Sequence, residues 1–265
     1  MQERMDRAKR RQLIKEDQAW VGKPFELRDN VRAVQANTRH LALMLLDTQV
    51  KRRASRAAAF SAQLIDVTLA KKVEGPVACA KGCHYCCTTF VSATIPEILR
   101  LAQAVRGQAE TAERVAAAAS ESQRIPQNER EQTRLHCAIL ADKACTAYAA
   151  RPTTCRFMLS KSLDGCLRIF AQNSGEMPPY ADNAVDVRAH TMLMMQAALI
   201  LSGLPHRHYE LNQAVAVALS QDGAEDRWLK GEPLFEDVTV DSGDLEASPL
   251  TNIIEWLVNT VRPTL

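Results

Sequence analysis

Residues 79–102 read CAKGCHYCCTTFVSATIPEILRLA, a dense cysteine group set directly before a helix start. In Thr94-Ile95-Pro96-Glu97, Thr94 can cap, Pro96 sits in the first turn where its missing N–H costs nothing, and Glu97 can reach back as the capping-box partner. Ile98, Leu99, Leu101, Ala102 and Val105 supply a buried face, and the helix is expected to run to about Ser120. Ahead of it, Cys83, Cys86 and Cys87 stand at i, i+3 and i+4. A helical turn over 83–87 would place these three thiols on one face. Cys79 would reach in from the preceding loop, with Gly82 easing the turn.

All eight cysteines lie between Cys79 and Cys166, with none in the first 78 residues or the last 99. Thiols that served only as small core hydrophobes would be spread over the other helices too. Cys137, Cys145, Cys155 and Cys166 form a looser group, with seven, nine and ten residues between successive members. Asp142-Lys143 makes a turn between the first two. Pro152 can start a helix, which puts Cys155 in a first turn where the helix dipole favours a thiolate. Arg151 and Arg156 either balance the thiolates or pair with surface acids, and the sequence leaves both open. Thiolates are soft ligands that suit zinc, copper(I) or iron–sulfur clusters and suit magnesium or calcium poorly. The second group lacks a C-x-x-C knuckle of its own, so a zinc ribbon does not fit, and the ferredoxin run does not fit either.

The rest of the chain reads as helix. Residues 31–72 form one long helix or two, with Leu41, Leu45 and Leu46, then Leu64, Ile65 and Leu69, at helical spacing; Gly75-Pro76 ends the segment. Further helices are expected over 184–202, 209–220 and 250–261. Residues 222–248 turn polar and acidic, and Val238-Thr239-Val240 is the short β-like run there. No alternation of strand and helix suggests a doubly wound sheet or a barrel. The expected fold is mainly α, with a cysteine-rich metal-binding centre in loops and helix ends. The expected organisation is an N-terminal helical extension over 1–74, a cysteine-cluster domain over 75–240 and a C-terminal helix over 241–265.

Apolar residues make up 46% and charged residues 24%, which excludes a disordered chain. The net charge of +2 gives no overall pull toward nucleic acid or membrane. Basic residues gather at Arg4, Arg7, Lys9, Arg10, Arg11 and Lys15 and again at Lys51, Arg52, Arg53 and Arg56; both are expected to be solvated helix faces rather than a nucleic-acid patch. The N-terminus shows no signal-peptide pattern, and the apolar segment 192–204 is too short to span a bilayer. A cytoplasmic protein is therefore expected, with no membrane partner, and in that compartment eight reduced thiols point to metal or redox chemistry rather than disulfides. His84 and His136 flank the cysteines and are expected to support or pack beside them. His206 and His208 are expected as an exposed loop pair, His40 and His190 as structural helix residues, and Met192, Met194 and Met195 as core fillers. No serine–histidine–acid set, P-loop or dinucleotide-binding glycine motif is present.

The segments CAKGCHYCCTTFVSATIPEILRLA (79–102) and HCAILADKACTAYAARPTTCR (136–156), with a fainter echo in YELNQAVAVAL and RWLKGEPLF (209–235), resemble the YkgJ-type cysteine-cluster family, a zinc- or iron-chelating domain. The resemblance implies metal ligands at Cys79, Cys83, Cys86, Cys87, Cys137, Cys145 and Cys155, with Cys166 as a further member. The spacing between Cys79 and Cys83 is one residue longer than the family's shortest form. Some members are linked to methylation of protein lysines, and nothing in this chain carries that activity over. Cys83, Cys86, Cys87 and Cys155 are the first ligands expected, then Cys79, Cys137 and Cys145, then Cys166.

Three functions remain open at this stage. One is an iron–sulfur centre with a redox or protein-modifying role. Cys79-x3-Cys83-x-Tyr85-Cys86 also looks like the cluster motif of radical S-adenosylmethionine enzymes, but the strands of a β/α barrel and a Gly-Gly-Glu cofactor motif are missing. The second is a structural zinc module of a protein-interaction domain, in which two tetrahedral sites would use all eight thiols. The third is a metal chaperone or sensor. The partners expected are a metal ion or cluster and a protein; catalytic residues are not identified.

Overall fold

Two strand pairs and a set of short helices position the cysteines. The computed structural model describes residues 5–25, 31–80, 82–172, 176, 178–243 and 249–265. Glu3 and Arg4 of the basic N-terminal stretch lie outside them. The elements in chain order are α1 (Arg7–Asp17), α2 (Val31–Leu46), α3 (Arg53–Lys72), β1 (Ser92–Thr94), α4 (Ile95–Val105), α5 (Ala109–Gln123) and α6 (Gln127–Arg130). Then come β2 (Leu140–Ala141), β3 (Ala144–Cys145), α7 (Thr153–Arg156), α8 (Leu163–Cys166), α9 (Ala184–Leu201), β4 (His208–Glu210), α10 (Leu211–Ser220), α11 (Ala224–Leu229) and α12 (Pro249–Val261). The fold is mainly α, as the helical spacing of the apolar residues requires.

Local backbone chemistry sets the breaks. Arg52 takes a left-handed conformation (φ 55°) and separates α2 from α3, so residues 31–72 are two helices. The helix opened by Thr94 does not reach Ser120. Gly107 at φ 92° ends it after Val105, and α5 begins afresh at Ala109. Asp142 and Lys143 both have positive φ, 48° and 61°, and form the tight turn of the β2–β3 hairpin, in which Leu140 faces Cys145. β1 pairs antiparallel with β4, with Ser92 opposite Glu210 and Thr94 opposite His208. Within residues 222–248, α11 is a helix that the polar composition did not reveal.

One continuous buried cluster runs through Leu41 and Leu45 of α2, Leu64 and Ile65 of α3, Ile98 and Leu101 of α4, Leu193 and Met194 of α9, Val215 of α10 and Leu257 of α12. Among the described residues α9 is one helix long and apolar enough to cross a membrane; 56% of it is buried within the protein, against α2, α3 and α12. Met194 and Met195 fill the core as expected. Buried charge pairs tie remote segments to this core. Arg39 pairs with Asp17 at the end of α1 and donates to Thr264 Oγ1 at 2.6 Å, joining the two ends of the chain. Arg130 donates to Glu210 Oε1 at 2.7 Å with both side chains almost fully buried. Glu210 also accepts from the Asn212 side chain and from the N–H of Gln213, where it caps α10.

Removing one member of a buried pair leaves the other charge without compensation. Arg130→Met is expected to lower unfolding free energy by about 3–5 kcal/mol, read from denaturant midpoints, and Arg130→Met with Glu210→Met is expected to lose less than the sum of the two single changes. His190 on α9 meets the Phe25 ring edge-on at 6.1 Å. Burial lowers its pKa to about 4 against the raising effect of Asp186. The folded chain thus keeps His190 neutral where the unfolded chain, titrating near 6.5, takes up a proton. Its contribution is complete above pH 6.5 and is lost as the pH falls toward 4. His190→Gln is expected to flatten the stability–pH curve in that window, measured by urea midpoints at stepped pH.

Candidate metal centre

Cys79 lies on an extended segment beside residues 158–160. Ala78 N–H donates to Ser160 O at 2.7 Å, Ser160 N–H donates to Cys79 Sγ at 3.3 Å, and the Cys79 thiol faces Met158 O at 3.5 Å. Gly82 at φ 89° turns the chain into Cys83, whose N–H closes on Ala80 O at 3.0 Å. The expected helical turn over 83–87 is a tighter 3-10 turn, Tyr85–Thr88, and Cys83 stands outside it. With about three residues per turn, the i, i+3, i+4 face expected for Cys83, Cys86 and Cys87 is not formed, and the Cys86 and Cys87 thiols instead hydrogen-bond to each other. Cys86 and Tyr85 pack with Met158 against Cys166, Ile169 and Phe170, around the wide turn Leu167–Ala171. Cys79 is within electrostatic range of Cys83, Cys86 and Cys166, and Cys83 is within range of Cys86 and Cys166.

Cys87 faces the second segment. Cys137 N–H donates to Cys87 O at 2.7 Å and Leu135 N–H to Thr88 O at 3.0 Å, laying the two chain segments side by side. The β2–β3 hairpin then carries Cys145 back toward Cys137. Cys155, in the single turn α7, completes the group. Cys87 is within electrostatic range of Cys137 and Cys155, Cys137 of Cys145, and Cys155 of Cys137, Cys145 and Cys86.

Backbone N–H groups point at several sulfurs. The Ser160 N–H donates to Cys79, and the nearby N–H groups of Tyr85, of Ile139 and Leu140, and of Ala147 act to lower the pKa of Cys83, Cys137 and Cys145 in turn. Such donors favour a thiolate. Burial opposes them. It pushes Cys79, Cys83, Cys145 and Cys155 upward and Cys137 up to about 11. The dipole expected to favour a Cys155 thiolate is only one turn long, and desolvation of that sulfur outweighs it. Cys87 hydrogen-bonds to Cys86, which brings Cys86 down to about 7 and pushes Cys87 up.

The two arginines divide the roles left open by the sequence. Arg156 pairs with Asp66 and donates to Arg151 O at 2.8 Å and Ala149 O at 2.6 Å, so it is a clamp. Arg151 stacks on Tyr148 at 3.5 Å and acts electrostatically on Cys86, Cys145 and Cys155. Glu97 contributes more than its expected cap. One carboxylate oxygen accepts from Thr94 N–H at 3.0 Å and the Thr94 hydroxyl at 2.8 Å; the other accepts from Thr153 N–H at 2.8 Å, at the start of α7. Thr154 Oγ1 donates to Ser92 O at 3.1 Å. Glu97 was legible only as a capping-box residue, and the Ser160 N–H at Cys79 had no sequence signal.

His84 stacks on Tyr85 at 5.1 Å, with Nδ1 3.2 Å from Gly82 O, and His136 is exposed. His206 is exposed, but His208 is not its exposed companion. Strand pairing turns His208 inward, 2% exposed, where Nδ1 lies 3.3 Å from Gln196 Nε2. Among the described residues no three Cys, His, Asp or Glu side chains converge into a closed metal cage. A tetrahedral zinc with Zn–S near 2.3 Å needs its sulfurs about 3.8 Å apart, so the thiols form neighbourhoods that must draw together. The donor chemistry fits zinc or iron: eight thiols free of disulfides, all at least partly buried, with Cys79 already met by the Ser160 N–H.

Residues 78–177, which contain all eight cysteines, match the CxxCxxCC family model, described as "Putative zinc- or iron-chelating domain". This is the YkgJ-type family that the cysteine spacing resembles. No curated protein and no solved structure matches the chain.

Glu97→Ala strands two buried N–H groups, those of Thr94 and Thr153. It is expected to cost about 1–3 kcal/mol in urea-midpoint stability, and Glu97→Gln, which keeps an acceptor oxygen, is expected to cost less.

Proposed function

We propose, taking residues 78–177 as a domain of the zinc- or iron-chelating cysteine-cluster family, that the chain binds zinc or an iron–sulfur cluster through thiolates of Cys79, Cys83, Cys86, Cys87, Cys137, Cys145, Cys155 and Cys166. One observation carries this. The eight thiols come from separate loops and single turns, yet they lie in one connected neighbourhood fastened by the Cys137–Cys87 backbone bond. When bound, zinc supplies a rigid cross-link between these loops, and an iron–sulfur cluster supplies a site that accepts and returns one electron.

The residues of the chain do the rest. The Ser160 N–H orients a lone pair of Cys79, and the N–H groups of Tyr85, Ile139, Leu140 and Ala147 favour the thiolates of Cys83, Cys137 and Cys145. Arg151 offsets negative charge that accumulates when several thiolates are buried together. Met158, Ile169 and Phe170 limit water at the Cys166 side. Cys137 and Cys145 pack against the main core, so metal binding is coupled to folding of the whole body. That coupling favours the structural zinc module as the second reading. A reducing, cytoplasmic setting is part of the proposal, because it keeps free thiols available.

The test is metal analysis with visible and electron paramagnetic resonance spectra on anaerobically purified protein. Stoichiometric iron with broad visible absorption supports the iron–sulfur form, and a colourless protein with stoichiometric zinc supports the structural form. In either case a strong chelator is expected to lower the thermal midpoint, and Cys86→Ser to lower metal content and soluble yield together. Protein carrying neither metal, with all eight cysteines alkylated at once in the native state, would overturn the proposal.

A further inference from the structure

We propose that Arg188 and Tyr180, both packed on the Phe157 ring, form a binding site for the carboxylate group of a small organic molecule. The site goes beyond the metal-binding function, and its affinity does not rest on it.

Arg188 lies in the second turn of α9, and its guanidinium carbon stands 4.6 Å from the centre of the Phe157 ring. Phe157 directly follows α7 and is 4% exposed, so the stack holds the guanidinium against the body of the protein. Among the described residues no group accepts a hydrogen bond from it. Of its nitrogens only Nε is sealed off without a partner; the Nη pair is not. The buried guanidiniums of Arg39, Arg130 and Arg156 each hold a carboxylate instead, of Asp17, Glu210 and Asp66 in turn. The acids that act on Arg188 through space are engaged elsewhere. Glu97 accepts from Thr94 and Thr153, and Asp241 accepts from the Ser92 hydroxyl and from the Gly243 N–H at 3.0 Å. A half-buried cation without an acceptor is unfavourable until an anion fills the gap.

Tyr180 brings a second donor. Its ring centre is 5.2 Å from that of Phe157, and its backbone is fixed by the bridge to Ser160 and by Ala181 N–H on Leu159 O at 2.7 Å. Among the described residues its hydroxyl has no hydrogen-bond partner.

This chemistry selects the ligand. The flat fork of a guanidinium meets a carboxylate in two parallel N–H···O bonds, and the phenol can donate a third. One cation in the field of Glu97 and Asp241 suits a monoanion better than a phosphate dianion. The Phe157 and Tyr180 rings give an apolar wall for the carbon skeleton beside the carboxylate. Tyr180 is within electrostatic range of Cys86 and Cys166, so the molecule is held beside the thiols.

The experiment uses the full-length chain in a buffer free of carboxylate and phosphate. Sodium propionate replaces sodium chloride at constant ionic strength while the thermal midpoint is followed, and calorimetry gives the dissociation constant. The expected result is a saturable rise in midpoint with a dissociation constant on the order of 1 mM, absent in Arg188→Met. That variant keeps the stem on Phe157 and removes an uncompensated charge, so its midpoint without propionate is expected to be no lower than wild type. Tyr180→Phe keeps the ring and is expected to weaken binding about tenfold. Arg168→Gln alters an exposed arginine already paired with Asp164 and Glu176 and is expected to bind as wild type does. No saturable rise in the wild type would overturn the site, as would unchanged binding in Arg188→Met or in Tyr180→Phe, or tighter binding of inorganic phosphate than of propionate. Metal is counted in the same samples: propionate bound by metal-free protein supports the site and counts against the metal-binding function alone.

Discussion

The backbone hydrogen bond from Cys137 N–H to Cys87 O is the constraint on which the cysteine region depends. It joins segments fifty residues apart in the chain, and the neighbouring Leu135–Thr88 bond fixes their register. With that register set, Cys87 faces the hairpin that bears Cys145. In the 3-10 turn Tyr85–Thr88, Cys86 packs against Cys166 while its thiol stays hydrogen-bonded to that of Cys87.

The scaffold around this bond consists of buried polar contacts rather than regular structure. The segment from Tyr148 to Arg156 holds only single turns, so its path is set from outside. Asp66 on α3 holds Arg156, Arg100 on α4 donates to Ala149 O at 2.6 Å, Glu97 holds Thr153 N–H, and Ser92 on β1 holds Thr154. These contacts come from elements whose own positions are fixed by the apolar core. Core packing therefore reaches Cys155 through hydrogen bonds, and the β1–β4 pair with the Arg130–Glu210 bridge serves the same end on the other side.

The thiols face opposing demands. Burial disfavours their charged form, and N–H donors together with Arg151 favour it. A soft cation resolves the conflict, because it replaces the lost hydration of several thiolates at once. The same residues packed as neutral thiols would need neither the N–H group aimed at Cys79 nor a guanidinium stacked at the rim.

The sequence by itself determined the helical character, the capping box at Thr94–Glu97, the turn at Asp142-Lys143 and the confinement of all thiols to one region. Each follows from local chemistry: side-chain spacing, a short-range cap, turn residues and residue count. It could not show that Gly107 divides α4 from α5, since a lone glycine inside an apolar pattern does not announce its φ. Nor could it place His208 indoors, which required a strand partner more than a hundred residues away. Only the tertiary structure decided which thiols are neighbours. Cys86 packs beside Cys166, and Cys87 is backbone-bonded to Cys137, each across dozens of intervening residues. Such grouping depends on long-range hydrogen bonds and packing, and these are properties of the folded body rather than of any local stretch.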